Sequence, residues 1–369
     1  LQSGIDNRIL LTPLYALVLI VTPVLLLGQT VPLVSNYFSS RKLSQITGKM
    51  LFTSTVGSFF GSVISTIILM RYVGVNNTVN VLFFLLTFLV FLLSKNKLSE
   101  RPLLMVGIVV SMLILNSTAM LGQANIVTTN AYNTVTVKQD STGRYLGING
   151  SNSSKIGVNG GKYLYVEYIE RHFLIPLMND NIPPKNILVV GAAGFTFGLE
   201  DNHNQYTYVD IDPDIKKIAE EHFLPKKLGP NKKFKGEDIR AYMATNQLKY
   251  DLILLDAYSS VNSIPETLVT QNFFKKMKDS LADNGALVTN FITSPNFNDS
   301  FSRRLDNTFR SVFPQYNRHV LSPEYNAFLL DKTVEANVIY SYFKVADVDN
   351  TTIYTDNLNT TSFDRLNDN

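Results

Sequence analysis

Charged side chains are distributed very unevenly along this chain, and that distribution limits what it can fold into. Most Lys, Arg, Asp and Glu residues lie in the second half, while four long apolar stretches occupy the first: 9–34, 50–73, 79–93 and 103–121. A helix needs about twenty apolar residues to cross the hydrocarbon core of a bilayer. The first, second and fourth stretches meet this length, and the third is borderline. We therefore expect residues 1–124 to form a membrane domain of about four helices.

The apolar stretches suit an anchor better than a transporter. Their apolar cores contain no charged residue, whereas ionisable groups inside a membrane domain usually mark a transport pathway. Gly57 and Gly61 lie one helical turn apart, and small residues with this spacing allow two helices to pack closely in lipid. The chain begins with Leu1 rather than Met, so we expect further helices upstream of a truncated start.

The basic residues of the short loops predict which side of the membrane the second half occupies. They cluster in two connections: Arg41, Lys42 and Lys49 in the first, and Lys95, Lys97 and Arg101 in the third. Loops rich in Lys and Arg stay in the cytoplasm. We therefore expect an integral membrane protein, embedded in a lipid bilayer. With the basic loops in the cytoplasm, an even number of crossings makes the soluble part extracytoplasmic.

Composition excludes several functions for the soluble part. The absence of cysteine rules out thiolate nucleophiles, disulfides and cysteine-ligated zinc. The four histidines lack the spacing of a metal site, so we expect no metal. A formal net charge of +3, without a basic stripe, gives no reason to expect nucleic-acid binding.

Residues 125–161 are predicted to form a small module of β-hairpins. Polar and apolar residues alternate there around turn signals such as Asn149-Gly150 and Asn159-Gly160. A helical stretch follows, and its tyrosines Tyr163, Tyr165 and Tyr168 are expected to be core residues rather than partner contacts.

From residue 162 to residue 369, strands alternate with helices. The predicted strands are 187–190, 206–211, 232–235, 251–255, 286–291, 318–321 and 326–330. Helices are predicted to begin near Pro213, Ile239, Pro265 and Phe297, and a short irregular one at 195–204. This alternation predicts a Rossmann-like α/β domain with a parallel, doubly wound sheet. In such sheets, ligands bind beyond the carboxyl ends of the strands.

Small or acidic residues follow the first two of these strands. Gly191 and Gly194 border a turn in which a ligand could approach the backbone closely, although a tight turn alone would also explain them. Asp210 ends the second strand, where a carboxylate can accept hydrogen bonds from ribose hydroxyls. Its alternative role would be to cap the helix near Pro213, but Asp212 is better placed for that.

Carboxylates also follow the third and fourth strands. Asp238 could bind an adenine edge, and capping the helix that starts at Ile239 is an equally good explanation. Asp256 lies at the mouth of an apolar strand and could bind or deprotonate an amine. Taken together in one crevice, the four features favour an adenosine-type site.

Residues 132–366 resemble the spermidine synthase (aminopropyltransferase) family, and the whole chain resembles its membrane-fused relatives. The resemblance lies in these motifs: Tyr165-Val-Glu-Tyr168, Asn186-Ile-Leu-Val-Val-Gly191, Tyr208-Val-Asp-Ile-Asp212, Gly236-Glu-Asp238, Tyr250-Asp-Leu-Ile-Leu-Leu-Asp256, Leu281-Ala-Asp-Asn-Gly285 and Tyr354-Thr-Asp356. It implies a β-hairpin module joined to a Rossmann-like sheet of the spermidine synthase type.

The resemblance also implies ligands and roles. The ligand would be decarboxylated S-adenosylmethionine or its product methylthioadenosine, with no tightly bound cofactor and with a polyamine or other amine as acceptor. By position, Asp210 would hold the ribose, Asp238 the adenine and Asp256 the attacking amine. Tyr258 and Ser259 would contact the substrate.

Two departures from the family leave alternatives open. Gly194-Phe195 stands where active synthases carry an Asp, and Ser259 stands where they carry a second acid. A catalytically silent domain that acts as an extracytoplasmic binding or assembly module, with protein partners or as a homo-oligomer, is therefore the alternative to an aminopropyltransferase. A methyltransferase that uses S-adenosylmethionine is a weaker alternative, because the hairpin module and the Asp-Ala-Tyr258 turn argue against it.

Overall fold

The computed structural model of the chain describes residues 13–14, 16–35, 43–93, 100–258, 263–321 and 336–344. These residues belong to two compact units, 1–95 and 96–369. The domain boundaries expected after residues 124 and 161 stay predictions.

Two helices of the first unit are long and apolar enough to cross a membrane. They are Ser44–Tyr72, with 29 residues, and Val75–Leu93, with 19. At about 1.5 Å per residue, the shorter one matches a hydrocarbon core of about 30 Å. Large apolar side chains are exposed along both helices, including Phe52 at 70% and Phe84 at 62%. Side chains of this kind are compatible with lipid.

The structure changes the expected lengths of the apolar stretches. The third stretch, borderline in the sequence, forms the helix of 19 residues. The fourth forms a shorter apolar helix, Leu103–Leu115, because Ser117 begins a new one by accepting a hydrogen bond from the Met120 amide. The first stretch lies partly outside the described residues, and its described part contains the short apolar helix Val24–Val34.

The second unit contains a small antiparallel sheet with the strand order β1-β2-β3-β4. Its strands are β1 Ile126–Thr129, β2 Thr134–Gln139, β3 Gly143–Ile148 and β4 Ser151–Gly157. The turn between β3 and β4 is Asn149-Gly150, with φ of 50° and 82°. Two consecutive positive φ angles are typical of the tight hairpin turn that this dipeptide predicts, so that prediction is confirmed.

A mixed sheet with the strand order β10-β11-β9-β8-β5-β6-β7 follows. Its strands are β5 Asn186–Val190, β6 Gln205–Asp210, β7 Lys232–Gly236, β8 Tyr250–Leu255, β9 Leu281–Thr293, β10 Asn317–Leu321 and β11 Ala336–Phe343. The fold is Rossmann-like, but the expectation of a wholly parallel sheet is wrong at one edge, where β11 runs antiparallel to both β9 and β10. An antiparallel pair needs no crossover helix, and the sequence predicts none between its last two strands. The predicted strand 326–330 lies outside the described residues.

Helices and apolar cores cover both faces of this sheet. Along β5, Ile187 and Val189 belong to one buried cluster and Leu188 and Val190 to another. Successive strand residues point to opposite faces, so the continuous apolar run of β5 reflects burial on both sides. The main helices near the predicted starts are Ile215–Ile218, Ile239–Thr245, Gln271–Ser280 and Ser300–Arg310.

The segment after β5 differs from the expected irregular helix. Residues 195–204 form turns instead, and Phe195 has a positive φ of 56°, which is incompatible with helical geometry. Asp201, almost fully buried, fixes the segment by accepting hydrogen bonds from the Tyr206 hydroxyl at 2.6 Å and the His203 amide at 2.8 Å. Side-chain bonds of this type compete with a helical backbone.

Candidate functional site

The four features predicted at strand ends lie side by side. The parallel strands β8, β5, β6 and β7 are neighbours in this order. Asp256, Gly191, Asp210 and Asp238 lie at the carboxyl ends of these four strands, respectively, or within two residues after them. Two adjoining cavities open along this edge, with volumes of about 530 and 430 Å³. Asp256 lines the larger, Asp238 the smaller, and Asp210 both. The structure thus brings the three carboxylates together around one divided cleft.

Asp256 is held by two side chains from other elements. The Asn290 amide on β9 donates a hydrogen bond to its Oδ1 at 3.0 Å, and the Tyr165 hydroxyl donates another. Burial raises the pKa of the Asp256 carboxyl to about 6, although both hydrogen bonds act to lower it. A carboxyl with this pKa is ionised at neutral pH and can take up a proton during a reaction.

Sequence reasoning missed Asn290, Tyr163 and Tyr165. All three line the larger cavity. The tyrosines also pack against the buried core, as the sequence predicted. Asn290 is only 2% exposed, and among the described residues its Oδ1 has no hydrogen-bond partner. A buried acceptor without a partner is unusual, and here it belongs to the side chain that holds Asp256. The Tyr165-Val-Glu-Tyr168 motif was the signal that could have placed Tyr165 in the site.

Asp210 accepts hydrogen bonds from the backbone of the glycine-containing turn that follows β5. Its Oδ2 accepts hydrogen bonds from the amides of Ala192 at 2.9 Å and Ala193 at 3.4 Å, and its Oδ1 accepts one from Asp212 at 3.0 Å. Burial raises the pKa of the Asp210 carboxyl, while these backbone bonds oppose the change. Each carboxylate oxygen can accept more than one hydrogen bond, so the group remains chemically suited to ribose hydroxyls.

The two glycines of the turn differ in their surroundings. Gly191 has a φ of 88° and lines both cavities, and a Cβ there would collide with the Asp256 carbonyl oxygen. Gly194 lies elsewhere: its amide donates to the Ser154 hydroxyl at 2.9 Å, and a Cβ would lie 2.5 Å from the Phe223 ring. The structure therefore places Gly194 against the small sheet rather than in the cleft.

Asp238 caps a helix and also lines the smaller cavity. Its Oδ1 accepts hydrogen bonds from the amides of Arg240 at 2.8 Å and Ala241 at 3.1 Å, at the start of Ile239–Thr245. The side chain is exposed. The two roles that the sequence left open are therefore compatible in space.

Asp212 fits the capping role that the sequence suggested only in part: its Oδ1 accepts a hydrogen bond from the Asp214 amide at 3.0 Å, just before the helix, but it also has partners in other elements. The N-cap position of Ile215–Ile218 is Asp214, whereas Asp212 is fully buried. Its two oxygens accept hydrogen bonds from the side-chain amides of Asn130 at 2.8 Å and Asn133 at 2.9 Å. The carboxylate joins the small sheet to the large one beside the smaller cavity, since a buried charge needs strong partners.

Tyr258 lies where the two cavities meet and lines both. Its hydroxyl donates to the Asn290 carbonyl oxygen at 3.0 Å and accepts a hydrogen bond from the Ile292 amide at 2.6 Å. The tyrosine is thereby fixed against β9, next to Asp256. Ser259, the other predicted substrate contact, lies outside the described residues.

Residues 165–338 match the family model of the spermine/spermidine synthase domain. Over these residues the chain is spermidine synthase-like. The polyamine aminopropyltransferase of Vibrio vulnificus is 32% identical over 162 residues, which are 42% of this chain and 52% of that protein. The corresponding enzyme of Sulfolobus acidocaldarius is 28% identical over 41% of this chain and 52% of its own length. The chain thus spans about half the length of these curated relatives.

Solved structures of similar proteins include a probable spermidine synthase from Corynebacterium glutamicum. It has a TM-score of 0.48 and 19% identity, and the match covers 60% of this chain and 81% of that one. Spermidine synthase from Thermotoga maritima has a TM-score of 0.44 and 13% identity, with 65% and 84% covered.

The structure also locates the residue that replaces the expected acid of the spermidine synthase-like turn. The Phe195 side chain is fully buried, with its ring centroid 5.0 Å from that of Tyr208 and 5.6 Å from that of Phe234. This position points into the core, so no side chain from it reaches the cleft.

Proposed function

We propose that this chain is a membrane-anchored aminopropyltransferase-like enzyme that transfers an aminopropyl group from decarboxylated S-adenosylmethionine to an amine. The smaller cavity would hold the nucleoside, with Asp210 at the ribose and Asp238 at the adenine. The larger cavity would hold the acceptor amine beside Asp256. The curated relatives, which are named as polyamine aminopropyltransferases, support an amine as acceptor.

The observation that carries the proposal is the environment of Asp256. Its carboxyl has a pKa raised to about 6 by burial and lines a cavity that adjoins the Asp210 and Asp238 compartment. An ammonium ion must lose a proton before its nitrogen can attack carbon. A carboxylate at this position can orient the amine and accept that proton.

The reaction balances without any further reactant. The nitrogen lone pair of the acceptor forms a bond to the aminopropyl carbon next to the sulfonium sulfur. The carbon–sulfur bond breaks, and its electron pair stays on sulfur, which leaves as the neutral thioether methylthioadenosine. The proton lost from nitrogen goes to Asp256 and then to solvent. Tyr165 and Asn290 would keep the carboxylate aligned with the amine.

Membrane anchoring is supported by the two long apolar helices. Ser44–Tyr72 and Val75–Leu93 expose large apolar side chains along their length, which is costly in water. We propose that both cross the bilayer and that the fourth apolar stretch, which contains the shorter helix Leu103–Leu115, crosses as well, so that the transferase domain lies outside the cytoplasm.

The test uses the full chain in detergent. Calorimetric titration with methylthioadenosine should give saturable binding below about 1 mM, and the chain should transfer an aminopropyl group to an amine. Replacing Asp256 by Asn should lower the transfer rate by about 10²- to 10⁴-fold while leaving nucleoside affinity within about twofold. A chain that binds no methylthioadenosine at millimolar concentration would refute the proposal.

A specific observation keeps a second function in view. Because Phe195 is buried in the core, the turn after β5 supplies no carboxylate to the cleft, as it would in the active enzymes that the chain resembles. Nucleoside binding without transfer to any amine would favour the silent binding module over the enzyme.

A further inference from the structure

We propose that the acceptor is an amine with one positive charge and an uncharged tail, rather than a linear polyamine. This inference rests on the proposed function, because it assigns a substrate class to the cavity that holds Asp256. It depends on how charge is distributed around that cavity.

The larger cavity offers one carboxylate to a cation. Among its lining residues that the structure describes, Asp210 and Asp256 are the acidic ones. Asp210 already accepts three backbone hydrogen bonds, from Ala192, Ala193 and Asp212, and it faces the nucleoside compartment as well. Asp256 therefore remains as the carboxylate for the attacking amine.

The antiparallel edge of the sheet supplies a neutral wall. Leu321 on β10 pairs with Asn337 on β11, and Asn337 pairs with Ile292 on β9. Residues directly opposite each other on adjacent strands point to the same face of a sheet. All three line the cavity, so they form one continuous row without charge.

The other side of the cavity is also uncharged. Ile148 on β3 and Leu164 at the start of Leu164–Ile169 lie there. The Tyr163 and Tyr165 rings stack beside them with their planes 11° apart. This surface suits hydrocarbon, because each buried methylene group contributes favourably to binding.

A linear diamine should bind weakly beside this neutral row of side chains. Among the lining residues that the structure describes, its second ammonium group would find no carboxylate partner on leaving water. An unpaired buried charge is strongly unfavourable. Hydroxyl and amide oxygens such as those of Ser151 and Asn337 can accept hydrogen bonds but cannot neutralise it. A monoamine of the same length places only methyl and methylene groups there.

The experiment compares two amines of equal carbon number. The full chain in detergent, saturated with methylthioadenosine, is titrated at about pH 8 with n-butylamine and with 1,4-diaminobutane. We expect n-butylamine to bind about tenfold more tightly. Nucleoside binding alone tests the proposed function, so failure of the two ideas can be told apart.

One substitution should reverse the preference. Asn337→Asp adds a carboxylate to the neutral row with little change in volume, and should make 1,4-diaminobutane the tighter ligand by about tenfold. The matched control is Asn317→Asp, which makes the same change on the exposed end of β10, opposite Ser341. The control should keep the preference of the unmodified chain, and methylthioadenosine affinity reports whether each variant is folded.

Three results would overturn the inference. One is nucleoside binding together with tighter binding of 1,4-diaminobutane by the unmodified chain, which would leave the proposed function intact. Another is an Asn337→Asp variant that is folded and still prefers n-butylamine. The last is failure of every amine to bind the nucleoside complex; if the nucleoside also fails to bind, the proposed function is lost with it.

Discussion

At the scale of single residues, the chemistry depends on the ionisation of Asp256. Burial is the main cause that raises the pKa of its carboxyl to about 6, and the bonds from Asn290 and Tyr165 limit the rise. The pKa is higher in the folded chain than in the unfolded one. The cost of this buried charge to the stability of the fold is therefore present above about pH 6. It is relieved as the pH falls from there toward 3.8, the ordinary pKa of an aspartate.

This ionisation predicts how amine binding depends on pH. As the pH falls below about 6, protonated Asp256 no longer attracts an ammonium ion, and affinity should fall about tenfold per pH unit. Calorimetry with n-butylamine on the nucleoside complex, between about pH 5 and pH 8, measures the effect. Asp256→Asn should bind more weakly, with a flat profile in this range. A flat profile for the unmodified chain would contradict the assignment of Asp256.

How far single residues could be predicted depended on how local their signals are. Asp256 and Asp210 directly follow runs of apolar β-formers, so their place at strand ends was readable from the sequence. Asn290 could not be found in this way, because it lies inside a buried stretch of β9 and reaches Asp256 only through pairing of β8 with β9. For Asp212 the sequence indicated the local bond to the Asp214 amide but not the contact with Asn133, because that residue lies 79 positions earlier in the chain.

At the scale of elements, the helix Ile239–Thr245 links stability and binding through one side chain. Asp238 caps this helix with two hydrogen bonds and lines the proposed nucleoside compartment. The two roles can be separated by replacing Asp238 with serine. A serine hydroxyl also caps helices, but its side chain is too short to reach a ligand while it accepts the capping hydrogen bonds.

We therefore expect Asp238→Ala and Asp238→Ser to differ in stability and agree in binding. Asp238→Ala should lower the free energy of unfolding by about 1 kcal/mol, whereas Asp238→Ser should stay within a few tenths of the unmodified chain. Both should weaken methylthioadenosine binding by about tenfold, the effect of one lost hydrogen bond to a charged group. Denaturant unfolding and calorimetry measure the two quantities. Unchanged affinity in both variants would show that Asp238 only caps the helix.

The order of strands and helices along the chain was easier to predict than the direction of the strands at the edge of the sheet. The alternation of strands and helices from β5 to β9 follows the apolar pattern closely for β5, β6, β8 and β9, which contribute residues to the cores on both faces. The edge strand β7 is mostly exposed. The antiparallel direction of β11 could not be predicted from the sequence. It depends on the strands with which β11 pairs rather than on the residues of β11 itself. The missing helix after β5 depends on Phe195 turning into the core at a positive φ, which no local periodicity encodes.

At the scale of the whole molecule, the proposed membrane anchor determines on which side of the bilayer the proposed transferase domain would lie. Basic residues such as Arg41 and Lys42, which follow the first apolar stretch, predict a cytoplasmic loop. The two long helices, Ser44–Tyr72 and Val75–Leu93, would cross the bilayer in opposite directions. The orientation of the domain therefore depends on the number of crossings, which the four apolar stretches predict to be even.

Site-specific labelling decides this orientation, and the chain suits it because it contains no cysteine. Asn159→Cys places a single thiol in an exposed turn after β4, and Ser44→Cys places one at the exposed start of the first long helix. With a membrane-impermeant maleimide on intact cells, Asn159→Cys should be labelled at once and Ser44→Cys only after lysis, since loop one is predicted to be cytoplasmic. The reverse pattern would place the domain in the cytoplasm and show that the topology is inverted relative to the one that the loop charges predict. Equal labelling of both thiols would instead show an even number of crossings between residues 44 and 159, as when the two long helices cross and the shorter helix Leu103–Leu115 does not.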